Sequence, residues 1–202
     1  VMAEGLLDLL DEGLDIVFCG INPGLRAAAS GHHFEGRGNR FWRTLHEAGF
    51  TDRLLRPEDD HLLLEYRCGL TTMVERPTAR ADELSAAEFL AAAAALEQKI
   101  ARYRPGCIAF LGKLAYSAIA GRTAVAWGRQ PDTLQGSSVW VLPNPSGRNR
   151  AFTQGGLVEA YSARPNGAPL LAVQWHPEWA TDGNDQSQTY FHLLGRALRG
   201  DL

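Results

Sequence analysis

The sequence predicts an α/β fold built on a mostly parallel sheet. Three observations carry this. Apolar runs of strand length stand at Leu14–Cys19, Cys107–Leu111 and Val139–Leu142, stretches of helical character lie between them, and Gly- or Pro-rich loops follow the strand ends.

Residues 3–12 read as a short amphipathic helix. Leu14 to Cys19 is apolar and carries β-branched residues, and it stops at Gly20, which makes it a buried strand. A loop rich in Gly and Pro follows, and Asn39 to Ala48 looks helical. Ser85-Ala86-Ala87-Glu88 is a capping box, with a hydroxyl and a carboxylate spaced to satisfy each other's backbone N–H groups. It opens an alanine-rich helix that reaches about Tyr103, where Pro105-Gly106 ends it. Cys107–Leu111 is the next strand, Gly112-Lys113 leads into another helix, and Val139–Leu142 is a third strand. Leu170 to Trp175 reads as a further strand, and a last helix starts near Gln186. Ligands of open α/β sheets bind beyond the carboxyl ends of the strands. The loops after Cys19, Leu111 and Leu142 are therefore where chemistry is expected.

The chain has 202 residues, 45% of them hydrophobic and 21% charged, enough for one sizeable core. Its longest apolar run, Phe89 to Leu96, is mostly alanine and too short to span a membrane. The first residues lack the basic flank of a signal peptide. The three cysteines, Cys19, Cys68 and Cys107, are scattered and outside any metal-ligand spacing. A reduced, cytoplasmic protein with no metal and no cofactor is expected. The formal charge of −3 speaks against a generic nucleic-acid binder, yet a net figure hides local fields. Arg26, Arg37, Arg40 and Arg43 face only Glu35 within their stretch, with His32 and His33 beside them, and Arg148 and Arg150 form a second cluster. Two basic loops suit a protein that touches DNA with one face. Two solvated loops fit the same charges.

Gly20-Ile21-Asn22-Pro23-Gly24-Leu25 follows the first strand, then Gly31-His32-His33-Phe34 and Gly38-Asn39-Arg40-Phe41-Trp42. Met73-Val74-Glu75-Arg76 lies further on, and Pro143-Asn144-Pro145-Ser146-Gly147-Arg148-Asn149-Arg150 follows the Val139 strand. Together, from about Leu14 to Tyr161, these blocks resemble the mismatch-specific uracil/thymine DNA glycosylases of the uracil-DNA glycosylase superfamily. The resemblance implies a three-layer sandwich around the central sheet. It also implies hydrolysis of the N-glycosidic bond of uracil, and by extension thymine, mispaired with guanine in double-stranded DNA. The abasic product would pass to downstream repair enzymes.

That chemistry needs residues of these types. An enzyme acting on a base must flip it out of the duplex into a pocket. Phe34 offers a flat face for stacking. Backbone groups of Gly20 and Ile21 and the side chain of Asn144 can read the base edge. Neutral donors stabilise the anionic base as it leaves. By resemblance, Asn22 holds the attacking water; its amide is no general base, so orientation must do the work. An asparagine that only stabilises a turn before Pro-Gly reads the same way locally. Ala27 and His33 match the thymine-active relatives, and His32 reads as a solvated loop residue. Thr72 stands where relatives carry asparagine or lysine, a departure that makes uracil the expected substrate. The second block resembles the loop that enters the duplex: Arg148 as wedge, Gly147 for close approach, Arg150 toward a phosphate, flanked by Ser146 and Asn149. A polar surface turn with two solvated arginines is the plainer alternative.

A second resemblance begins near Leu157. Leu157 to Tyr161, then Ala172-Val173-Gln174-Trp175-His176-Pro177-Glu178-Trp179, is similar to the end of class I glutamine amidotransferase-type γ-glutamyl-γ-aminobutyrate hydrolases. There the His and Glu complete a Cys-His-Glu triad, which maps onto His176 and Glu178. No cysteine of this chain has the Gly-x-Cys-x-Gly elbow such a triad needs. The expected organisation is thus a glycosylase domain over 1–161 and a hydrolase-like tail over 162–202 without its own activity. A γ-glutamyl hydrolase, or a DNA-binding module without turnover, are the competing functions.

Overall fold

The computed structural model describes residues 6–162. The expectations placed on the tail, namely the strand at Leu170–Trp175, the helix from Gln186, and His176 with Glu178, lie outside the described residues.

The described chain is an α/β fold with a central five-stranded sheet in the order β2-β1-β3-β5-β4. The strands are β1 (Ile16–Gly20), β2 (Cys68–Thr72), β3 (Cys107–Leu111), β4 (Gly128–Leu134) and β5 (Ser137–Leu142). β1 pairs in parallel with β2 and β3, and β3 with β5; β4 alone runs antiparallel, against β5. The helices are α1 (Leu25–Ser30), α2 (Phe41–Glu47), α3 (Ala86–Tyr103), α4 (Lys113–Ala120) and α5 (Gln154–Tyr161), with a 3-10 helix at Pro57–Tyr66.

Every residue of β1, β2 and β3 is buried, as parallel strands covered on both faces must be. Successive side chains in a strand point to opposite faces. In β1, Phe18 points to one layer, where it meets Phe41 of α2 edge-on at 5.5 Å and Tyr161 of α5 in a stack at 6.1 Å. Cys19 points to the other layer, into a cluster formed by Phe89, Leu96 and Ile100 of α3, Tyr116 of α4 and Phe110 of β3. A helix pair on each side of the sheet makes three layers.

Two sequence expectations change here. No helix occupies residues 6–12. Leu9 instead bridges antiparallel to Leu70, with backbone hydrogen bonds of 2.8 and 2.9 Å. Apolar spacing that suits one helix face serves equally well for an extended segment laid along an edge strand, and β2 is such an edge. Gly69 permits the close approach, because a Cβ there would sit 2.6 Å from Leu14 Cδ1 and 2.8 Å from the Leu9 carbonyl oxygen. The second change is that β2 and β4 join the three strands that the sequence marks within the described residues. β4 contains Pro131, which has no N–H to give, and its ladder is irregular between Arg129 and Thr133. Among the described residues no helix is long and apolar enough to cross a membrane.

Candidate active site

The turn at Gly20–Gly24 leaves the carboxyl end of β1, and residues 73–78 run beside it. Met73 and Val74 donate backbone N–H groups to the carbonyls of Gly20 and Ile21, both at 2.9 Å, and Thr78 donates to Pro23 O at 3.1 Å. The side chain of Asn22 is held by the same segment. Its Nδ2 donates to Arg76 O at 2.9 Å and to Thr78 Oγ1 at 2.7 Å, with a longer contact to Pro23 O at 3.3 Å. The Thr78 hydroxyl gives its own proton to Arg80 O at 2.8 Å, so toward Asn22 it can only accept. Two obligate acceptors therefore fix which end of the amide is nitrogen. Asn22 Oδ1 is left with no hydrogen bond among the described residues.

The predicted pocket residues assemble around this turn in two groups. A methyl on Gly20 would lie 3.7 Å from both the Phe34 ring and Thr72 Cγ2, so these three are neighbours at the end of β1. Phe34 adopts a left-handed φ of 56° and stacks on Phe41 with centroids 3.8 Å apart, which fixes its ring face. A methyl on Gly112 would lie 3.6 Å from Ile21 Cδ1 and 3.7 Å from Asn144 Cβ, so both side chains border the residue that follows β3. Asn144 Oδ1 accepts from the Ser146 N–H at 2.9 Å, and Asn149 Nδ2 donates to Asn144 O at 2.9 Å. That turns Asn144 Nδ2 into a donor with no acceptor among the described residues.

Ala27 and His33 are placed differently. Ala27 is buried in α1, one turn beyond Gly24. His33 is buried, with its backbone N–H given to Asp60 Oδ2 at 2.9 Å. Its Nε2 lies 2.8 Å from Leu7 O, and a carbonyl can only accept, so Nε2 carries the proton. Burial holds the imidazole below its ordinary pKa and keeps it neutral. His33 thus ties the N-terminal segment to the chain that leads into Phe34.

The loop after β5 carries Ser146, Gly147, Arg148, Asn149 and Arg150. Gly147, Arg148 and Arg150 are exposed, and the Arg148 N–H is turned onto Ser146 Oγ at 3.3 Å. The first basic stretch is less available than its composition implies. Arg43 pairs with Glu47 along α2 at 2.7 Å, and Arg40 points inward to backbone carbonyls. Sequence reading missed Thr78 and the carbonyl of Arg76, whose link to Asn22 spans more than fifty positions and leaves no periodic trace.

Other chemistries find little to work with. All three thiols are buried, and burial raises them: Cys68 and Cys107 to about 12, and Cys19 further still. No group of His, Cys, Asp or Glu that could hold a metal forms among the described residues.

The fold and the matches agree. A solution NMR structure of a candidate uracil DNA glycosylase from Methanosarcina acetivorans superposes with a TM-score of 0.53 at 22% identity, over 81% of this chain and 96% of that one. That likeness shows the fold alone. Residues 7–164 match the uracil DNA glycosylase superfamily, a span that contains the sheet, the Asn22 turn and the loop of Arg148. The chain belongs to the uracil DNA glycosylase superfamily.

Proposed function

We propose that the protein is a monofunctional DNA glycosylase that hydrolyses the N-glycosidic bond of uracil opposite guanine in double-stranded DNA, with thymine a secondary substrate. The observation that carries this is the fixed amide of Asn22, whose Oδ1 is left unbonded among the described residues two positions after Gly20, where Phe34 and Thr72 come together. In this reading the flipped base stacks on Phe34, and backbone groups of Gly20 and Ile21 read its edge. Asn22 Oδ1 accepts a hydrogen bond from a water and aims its oxygen at the anomeric carbon. The C–O bond forms as the C–N bond breaks, the base leaves with the electron pair, and the water's proton passes to solvent. Asn144 Nδ2 donates to the carbonyl oxygen on which the leaving charge develops. Ala27 leaves room near the base for a methyl group, and His33 supports the chain that leads into Phe34.

Ser146, Gly147, Arg148, Asn149 and Arg150 form the DNA-entering loop, with Arg148 as wedge and Arg150 on a phosphate. Residues 1–161 are the catalytic domain, and downstream enzymes take the abasic product. The three reduced, buried thiols suit the cytoplasm.

The test uses single-lesion duplexes followed by alkali. Wild-type protein should cleave at uracil opposite guanine. Asn22→Ala should abolish cleavage while binding the same duplex with nearly unchanged affinity. Equal loss of binding and turnover would make Asn22 a DNA contact, and binding without any wild-type excision would make the protein a binding module. Steady hydrolysis of a γ-glutamyl amide would favour the tail chemistry instead.

A further inference from the structure

The loop between β5 and α5 has no helix or strand of its own from Pro143 to Thr153, yet it must hold one shape to enter a duplex. Some of its bonds are internal, such as Asn149 N–H to Ser146 O at 2.9 Å and Ala151 N–H to Asn149 Oδ1 at 3.2 Å. From outside the loop, four more come from one side chain more than a hundred residues away. Arg40 Nη1 donates to Phe152 O at 2.7 Å, and its Nη2 donates to Asn149 O at 2.8 Å and to Ser146 O at 3.0 Å. Its Nε reaches Pro145 O at 3.4 Å, and its backbone N–H donates to the same oxygen at 3.0 Å. No carboxylate pairs with Arg40 among the described residues, so its charge is balanced by converging carbonyl dipoles.

We propose that Arg40 is the positioning residue of the DNA-entering loop, gathering its carbonyls inward so that the loop's N–H groups and Arg148 face the duplex. The inference rests on the glycosylase reading above and deepens it. The geometry follows from the planar trans peptide, in which each C=O opposes the N–H of the next residue. Turning Ser146 O and Asn149 O toward Arg40 turns the N–H groups of Gly147 and Arg150 the other way. Neither N–H has an acceptor among the described residues, so both are donors for DNA bound at the loop. The exposed side chains of Arg148 and Arg150 lie on the same stretch.

Two neighbours limit the alternatives. A Cβ on Gly147 would lie 2.5 Å from Gly38 O, so the strand of chain leading to Arg40 packs directly on the loop's tip. At the other end, Phe152 is held edge-on by Trp127 at 5.4 Å. Between those points the guanidinium is the bracket. Lysine cannot replace it, because one ammonium point charge cannot reach carbonyls spread around a planar fork. The sequence reading counted Arg40 among the charges of a basic loop; its donors are in fact spent on the protein, and its effect on DNA passes through the loop.

The test compares wild type, Arg40→Lys and Gly147→Ala by amide exchange, by binding and by excision. In Arg40→Lys, exchange of the hydrogen-bonded loop amides of Ser146, Arg148, Asn149 and Ala151 should quicken at least about tenfold, while β1 and β3 keep wild-type protection. Affinity for a duplex carrying a non-cleavable abasic analogue opposite guanine should fall about tenfold, the loss expected for one charge-assisted hydrogen bond. Added methylguanidinium should recover part of that affinity in Arg40→Ala, which a merely destabilised protein would not show. Unchanged exchange in the loop overturns the proposal, as does faster exchange with unchanged lesion binding. Should Arg40→Lys fail to fold, Gly147→Ala carries the same two readouts by displacing the loop from Gly38. Wild-type protein without uracil excision would sink the functional reading separately, and the exchange data would still decide whether Arg40 sets the loop.

Discussion

At the scale of single residues, the site is a set of amides whose orientation is decided by their neighbours. Asn22 has two ends of nearly equal size, and only the acceptors around it determine which end faces outward. Thr78 is one of them, and its own proton is committed to Arg80 O. Thr78→Val keeps the shape and removes the acceptor, which frees the amide to rotate. Excision should slow about tenfold with duplex binding preserved, because a misplaced water costs rate without costing affinity. Thr78→Ser should restore the rate, and single-turnover assays at saturating enzyme distinguish the two. A Thr78→Val enzyme at full speed would mean that Arg76 O alone holds the amide. Asn22 was legible in the sequence because its neighbours Gly20-Ile21 and Pro23-Gly24 form a local block at a strand end. Thr78 was not, since a hydrogen bond across the fold leaves no spacing to read. His33 shows a third case: the resemblance places it in the base pocket, while in the structure its buried Nε2 serves Leu7 O.

At the scale of elements, α3 does more than cover the sheet. Its capping box is complete: Ser85 Oγ accepts from the Glu88 N–H at 3.3 Å, and Glu88 Oε2 accepts from the Ser85 N–H at 2.8 Å. The other oxygen of Glu88 accepts from Arg76 Nε at 2.6 Å, and these bonds hold the carboxyl at about 2, the Arg76 guanidinium contributing most. Arg76 in turn presents the carbonyl that receives Asn22 Nδ2. The start of α3 is thereby linked to the Asn22 turn through one arginine. Ser85→Ala should cost about 1 kcal/mol of stability, measured by urea unfolding with an unchanged slope. A loss near zero would show that Glu88 caps the helix unaided. This helix was legible because capping is local, whereas β2 and β4 were not. β2 mixes Gly69 with Thr71 and Thr72, and β4 alternates weakly around Pro131 with only Gln130 and Leu134 buried. β4 is an exposed edge that needs little apolar surface, whereas β2 is fully buried but built from Gly and Thr rather than from a continuous apolar run.

At the scale of the whole molecule, charge separates this protein from generic nucleic-acid binders. A net charge of −3 repels a polyanion at long range, so affinity must come from a few placed cations. Within the two basic clusters Arg40 and Arg43 are spent on the fold, and Arg26, Arg37, Arg148 and Arg150 are the remaining arginines, outside any ion pair among the described residues. Arg148 also feels an acid, for it helps lower the Asp82 carboxyl, after the dominant effect of Arg80. If Arg148 enters the stack as a wedge, about three arginines remain for phosphates. Each neutralised phosphate contributes about −0.9 to the slope of log K against log salt, so a slope near −3 is expected on duplex DNA. Arg150→Ala should flatten that slope by about one and weaken matched and mismatched duplexes alike. Arg148→Ala should leave the slope nearly unchanged while narrowing the preference for the mismatch, since a wedge acts on the stack rather than on the backbone. Fluorescence titrations across a range of salt concentrations separate the two arginines. A slope change of one for Arg148→Ala, with the mismatch preference intact, would reassign Arg148 to a phosphate and leave the wedge to another residue of the loop.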